Sequence, residues 1–151
     1  MGTLEAMKDE RIVSFIADRG GRSRHVTSVC TGSLLLGQGG LLRGKRATSH
    51  WAAIDTLQDF GAIAVHERVV TDGNVTTAAG VSAGLDFGLS LIARLRGDNY
   101  ARSIQLQAEY APAPPFHAGT LETAPSAVSG AMVEMLAPFK DKVRAVARNA
   151  R

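Results

Sequence analysis

The stretch His25-Val26-Thr27-Ser28-Val29-Cys30-Thr31-Gly32-Ser33-Leu34-Leu35-Leu36 constrains the fold more than any other. A β-branched run gives way to helix formers, and the only cysteine of the chain stands at the junction. A strand-to-helix elbow turns the backbone sharply, lifts the corner side chain clear of the sheet, and aims the first helical N–H groups at whatever that side chain attacks. A helix N-terminus also favours the thiolate over the thiol. Cys30 is therefore a candidate nucleophile. The residues alone leave a second reading open, a small buried thiol ending a core strand, because free cysteine is among the most buried residue types.

Around the elbow the pattern alternates helix and strand, as in an α/β domain. Asp9 can cap a helix running to Asp18, with Ile12, Val13 and Ile16 on one face and Gly20-Gly21 as its stop. His25–Val29 suits a buried parallel strand, and Ser33–Gln38 is a brief helix ending at Gly39-Gly40. Trp51, Ile54, Leu57 and Phe60 recur at helical spacing ahead of Gly61. Ala62–Val70 and Asn74–Ala78, joined through Thr71-Asp72-Gly73, predict a hairpin, since Asp-Gly supplies the positive φ of a tight turn. Ser82–Leu95 carries a stripe of Leu85, Leu89 and Ile92, and a helix from Asp98 must end near Tyr110, ahead of Pro112. Residues 111–125 are proline-rich and irregular. A last helix starts near Ser126, with Val128, Met132, Met135, Leu136, Phe139, Val143 and Val146 inward and Pro138 expected to kink or break it.

With 151 residues, 45% of them hydrophobic, the chain can bury one core. A single cysteine allows no internal disulfide and suits a reducing, cytoplasmic setting. No stretch approaches the roughly 20 apolar residues of a membrane span, and the charged start, with Glu5, Lys8, Asp9, Glu10 and Arg11, is unlike a signal peptide. The net charge of +3 is concentrated in a tail where Lys140, Lys142, Arg144, Arg148 and Arg151 face only Asp141. Without a basic stripe interleaved with aromatics, no nucleic-acid partner is expected; the tail reads as a solvated helix face. His25, His66 and His117 are scattered and, with one cysteine, supply no metal-ligand spacing. Glu67 and Asp72 belong to the hairpin and read as solvated or interfacial.

Three segments in order, Cys30-Thr31-Gly32-Ser33, then residues 39–51 ending in Thr48-Ser49-His50-Trp51, then residues 65–74, resemble the ThiJ/PfpI superfamily. Its fold is that of the class I glutamine amidotransferase domain. Residues 105–116, followed by Ala118-Gly119 and Thr123-Ala124-Pro125, are similar to the C-terminal stretch of isonitrile (isocyanide) hydratases. The resemblance runs from Gly2 to about Phe139 and implies a flavodoxin-like α/β sandwich, with residues 1–151 a single ThiJ/PfpI-type domain corresponding to the C-terminal two-thirds of the family domain. Members of the superfamily begin with a strand carrying an acidic residue that faces the nucleophile. Met1-Gly2-Thr3 instead aligns with the end of a later Pro-Gly-Gly-x-Gly loop, so the sandwich is expected to be incomplete at the N-terminus. The strand at His25–Val29 would then be left as an unpaired edge.

By this resemblance Cys30 is the nucleophile and Thr31 gives its backbone N–H, and its hydroxyl, to developing negative charge. Gly2, Gly32 and His50 would line the substrate and oxyanion region, although a histidine ahead of Trp51 also fits a structural role. The implied reaction is thiolate attack on the terminal carbon of an isocyanide, protonation by an acid, and hydration to an N-substituted formamide, in a homodimer with no cofactor. The acid maps to no residue here, and general acid catalysis is typically worth about 10²–10⁴ in rate, so weak turnover is expected of this stretch alone. Peptidase-like members place a histidine directly after the cysteine; Thr31 there speaks against a proteolytic Cys-His pair. Two alternatives use the same residues. One is the ligand-sensing domain of an AraC-type transcription regulator, which carries a similar Cys-Thr-Gly and Thr-x-His-Trp pattern. The other is a redox or stress protein whose Cys30 is reversibly oxidised.

Overall fold

The computed structural model describes residues 2–149; Met1, on which the reading of the chain start rests, and Arg151 of the basic tail lie outside the described residues. The first element is a short helix that the sequence reading did not anticipate, α1 (Gly2–Lys8), in place of a loop. Leu4 and Met7, one turn apart, bury their side chains in the core. Seven residues are too few for a periodic pattern to stand out. Helix α2 (Glu10–Gly21) follows, and the Asp9 side chain caps it by accepting the Arg11 N–H. Its apolar face is only half used: Val13 and Ile16 are half-buried, while Ile12 stays exposed.

Strand β1 (Val26–Val29) leads into α3 (Gly32–Gln38), then β2 (Arg46–Ala47) and a 3-10 helix (Ile54–Phe60) closed by Gly61 at φ 76. Residues spaced three apart eclipse one another on a helix of three residues per turn, so Ile54, Leu57 and Phe60 fall in one buried row. The strict period of three is thus a 3-10 signal, where the sequence reading assigned only helical spacing.

Ala62–Val70 is not one strand. β3 (Ile63–Ala64) pairs in parallel with β2, because the Ile63 and Val65 N–H groups donate to the Lys45 and Ala47 carbonyls, at 2.8 and 2.9 Å. The chain then turns before β4 (Val69–Asp72), which forms the hairpin with β5 (Val75–Ala78). The connection is the two residues Gly73 and Asn74, with Gly73 at φ 63, a conformation open mainly to glycine. β5 pairs in parallel with β1 on its other side, giving the order β1-β5-β4. β1 therefore has a partner along one side, and among the described residues its other side is the sheet edge. β5, the central strand, is buried throughout. Its threonines are satisfied: Thr77 Oγ1 accepts the Thr48 N–H at 2.8 Å, and the Thr76 and Thr71 hydroxyls are 3.1 Å apart.

Helices α4 (Ala83–Arg96) and α5 (Asp98–Gln107) form an antiparallel pair on the Val29 side of the sheet, where a Cβ at Gly84 would meet Val29 at 3.2 Å. Leu85 is exposed and Leu89 and Ile92 are half-buried, so the α4 stripe is covered only in part. The Tyr110 hydroxyl donates to Asp86 at 2.8 Å, and Arg68 pairs with the same carboxylate, tying the end of this pair to the strand layer.

Helix α6 (Ser126–Asn149) runs through Pro138 without breaking. Proline leaves the carbonyl four residues back, that of Glu134, without its helical donor, and both residues are exposed where water can supply it. The second half of α6 enters the core through Val143 and Ala147, with Phe139 and Val146 packed beside them; in the first half Leu136 is half-buried near Trp51 and Leu121, while Val128, Met132 and Met135 are exposed. The basic tail is not free of partners. Lys140 pairs with Asp55, and Arg144 with Asp59 at 3.8 Å, fastening α6 along the 3-10 helix. Among the described residues no helix is long and apolar enough to cross a membrane.

Candidate functional site

The elbow is built as the sequence requires. Cys30 ends β1, its N–H donating to the Ala78 carbonyl at 3.0 Å, and turns the chain at φ 60. A side chain in this left-handed region costs about 1–2 kcal/mol, and such strain gathers at functional sites. Only one other non-glycine residue, Glu109, has positive φ among the described residues. The thiol is half-buried, so it is neither sealed in the core nor fully in solvent.

Two buried hydroxyls hold the backbone at this corner. Ser33, in the first turn of α3, donates to the Cys30 carbonyl at 3.3 Å, and Ser49 donates to the same oxygen at 3.1 Å. The Thr31 hydroxyl lies 2.9 Å from that of Thr3, which docks α1 against the elbow. Nothing in the sequence marks Thr3, Ser33 or Ser49 as site residues, although Ser33 closes the Cys30–Ser33 motif. Ser49 stands inside the Thr48–Trp51 stretch that carried the resemblance, yet no property of a lone serine reveals that its hydroxyl meets a carbonyl 19 residues away.

Gly2 is exposed at the start of α1, next to Thr3. Gly32 opens α3; a Cβ there would meet only the Ser28 side chain at 3.5 Å, an ordinary contact, so packing within the described chain does not demand glycine. His50 follows Ser49 and is half-buried. Its Nδ1 accepts the Ala52 N–H at 3.2 Å, which leaves the ring proton on Nε2. The ring is tilted by 38° against Trp51 at a centroid distance of 5.2 Å, and burial lowers its pKa, favouring the neutral imidazole. A Cβ on Gly80, in the turn after β5, would lie 3.9 Å from His50 Cδ2.

The remaining candidates lie elsewhere. Glu67 pairs with Arg46 at 3.4 Å, and Asp72 accepts the Arg46 N–H at 2.9 Å with Lys45 3.5 Å away. The backbone bond from Arg46 is the largest influence lowering the Asp72 pKa. Asp72 therefore holds the hairpin to β2, whereas Glu67, expected in the hairpin, lies in the turn ahead of β4 and ties that turn to the same strand. Among the described residues no group of three or more histidine, cysteine, aspartate or glutamate side chains is placed to hold a metal ion.

The fold and this corner define an α/β protein of the flavodoxin-like kind with its cysteine at a strand–helix elbow. Residues 2–94 match the DJ-1/PfpI family, and the chain belongs to that family. It is 55% identical over 127 residues to the isonitrile hydratase of Pseudomonas putida, covering 84% of this chain and 56% of that protein. The crystal structure of a ThiJ/PfpI family protein from Pseudomonas syringae superposes with a TM-score of 0.95 at 54% identity, covering 97% of this chain and 60% of that one. A shorter match, 40% identical over 79 residues, is to the HTH-type transcriptional regulator CdhR of Pseudomonas aeruginosa; it covers 51% of this chain and 24% of the regulator. The chain thus spans well under two-thirds of the length of each of these relatives.

Proposed function

We propose that this chain carries the nucleophile of an isonitrile hydratase-like lyase. The Cys30 thiolate attacks the terminal carbon of an isocyanide, R–N≡C, forming a C–S bond, and a proton added to that carbon gives the thioimidate R–N=CH–S–Cys. Water then adds to the same carbon. The Thr31 N–H meets the negative charge of the oxygen adduct as water's proton is shed, the C–S bond breaks, and nitrogen takes up a proton to leave the formamide R–NH–CHO and free thiolate. Gly2, Gly32 and His50 line the substrate region, with His50 neutral and its Nε2–H available as a donor. The proton donor of the first step is assigned to none of the described residues. The reading takes residues 1–151 as part of one ThiJ/PfpI-type domain, acting in a cytoplasmic homodimer on a small molecule, with neither cofactor nor nucleic acid.

One observation carries this reading most directly, the 55% identity to isonitrile hydratase over 84% of the chain. A 127-residue match within 151 residues cannot miss the elbow at Cys30. The test is to supply a simple alkyl isocyanide to this chain, and to the product of any longer reading frame containing it, and to follow the N-alkyl formamide by mass spectrometry. Formamide that disappears in Cys30→Ser is the expected result, because a serine hydroxyl has no comparable anionic fraction at neutral pH. No formamide from either protein, or equal turnover by Cys30→Ser, overturns the reading. The match to CdhR favours a second one, a ligand-sensing domain. It gains support if isocyanide is untouched while the longer product binds a promoter fragment.

A further inference from the structure

We infer that Ser49 is a positioning residue, acting through the Cys30 carbonyl to aim the Thr31 N–H. The inference rests on the role given to Thr31 above. A peptide unit is planar and trans, so its C=O and N–H point in opposite directions as one rigid body. Whatever holds the oxygen of Cys30 therefore also sets the line along which the Thr31 N–H points. Here two hydroxyls hold it, Ser49 at 3.1 Å and Ser33 at 3.3 Å, and both serines are almost wholly buried, 1% and 0% exposed. Hydrogen bonds at a carbonyl also polarise the amide and strengthen its N–H as a donor.

The two donors differ in origin. Ser33 is three residues from Cys30 and makes a bond that the first turn of a helix can form locally. Ser49 arrives from the segment after β2 and is held in place by the sheet itself. Its neighbour Thr48 donates its N–H to Thr77 Oγ1 at 2.8 Å, and Thr77 stands in register with Ser28 of β1, two residues before Cys30. The strand that presents the cysteine and the hydroxyl that orients the next peptide are thus referred to one frame. At the left-handed corner, where an ordinary side chain is strained, that frame resists rotation of the Cys30–Thr31 peptide.

The test compares Ser49→Ala with Ser49→Thr, which keeps the hydroxyl, in this chain. Thermal unfolding reports the fold, and amide NMR reports Thr31, whose ¹⁵N shift responds to hydrogen bonding at the preceding carbonyl. In Ser49→Ala the Thr31 amide is expected to move and to exchange faster with solvent, while amides of β4 and α6 keep their parent values; Ser49→Thr restores the parent signal. Where isocyanide turnover is measurable, kcat falls about tenfold in Ser49→Ala with KM unchanged, the scale of one lost hydrogen bond realised in the transition state. If Ser49→Ala does not fold, Ser33→Ala removes the second donor from the same oxygen and must shift the same amide. A folded Ser49→Ala with an unmoved Thr31 amide, or with all amides moved alike, overturns the inference. A Thr31 amide that responds in a protein making no formamide leaves the positioning role intact and removes the hydratase reading instead.

Discussion

Replacing Cys30 by glycine and by alanine turns the elbow geometry into a measurable sign. Both substitutions delete the same half-buried thiol, so its packing cancels in the comparison and the backbone remains. At an ordinary position glycine is the less stable choice by about 0.4–1 kcal/mol, because its unfolded chain has more freedom to lose. At φ 60 a Cβ instead costs about 1–2 kcal/mol, which alanine bears and glycine does not. The balance makes Cys30→Gly more stable than Cys30→Ala by about 1 kcal/mol. With a urea slope of about 2 kcal/mol per molar, that separates the two midpoints by about 0.5 M at equal slope. Ala131→Gly, at an exposed site inside α6, serves as the control and should lose about 1 kcal/mol. A Cys30→Ala midpoint at or above that of Cys30→Gly, with the control behaving normally, would show that the corner is not left-handed. The nucleophile-elbow argument would fall with it.

Leu34 is fully buried on α3 and Leu106 is 82% exposed on α5, so truncation to alanine should cost about 3 kcal/mol at the first and under about 0.5 kcal/mol at the second by urea unfolding. Similar losses at both would contradict the placement of the core. For His50 the sign follows from burial, which holds the folded-state pKa below the ordinary value of 6.5. Below pH 6.5 the unfolded chain takes up the proton before the folded one, so stability present above that pH declines as pH falls toward the folded pKa. His50→Gln should flatten that part of the stability profile, and an unchanged slope would refute the assignment.

Local rules wrote the corner at Cys30, the cap at Asp9, the stop at Gly61 and the turn at Gly73 into the sequence, since each depends on backbone conformation and hydrogen bonds within a few residues. The family resemblance was legible for the same reason: its motifs are short and contiguous. Burial was another matter. Periodicity shows that the last helix has an apolar face, but the positions of the 3-10 helix and of α1 decide that Phe139, Val143 and Val146 use it while Val128, Met132 and Met135 do not. The split of Ala62–Val70 into β3 and β4 likewise came from the Lys45 and Ala47 carbonyls capturing its first half, partners that no local pattern identifies. The Thr3 and Ser49 hydroxyls reach the elbow only because α1 and the segment after β2 are folded onto it. A contact between residues far apart in the chain is decided by the packing that joins them; a conformation confined to neighbouring residues is decided by those residues themselves.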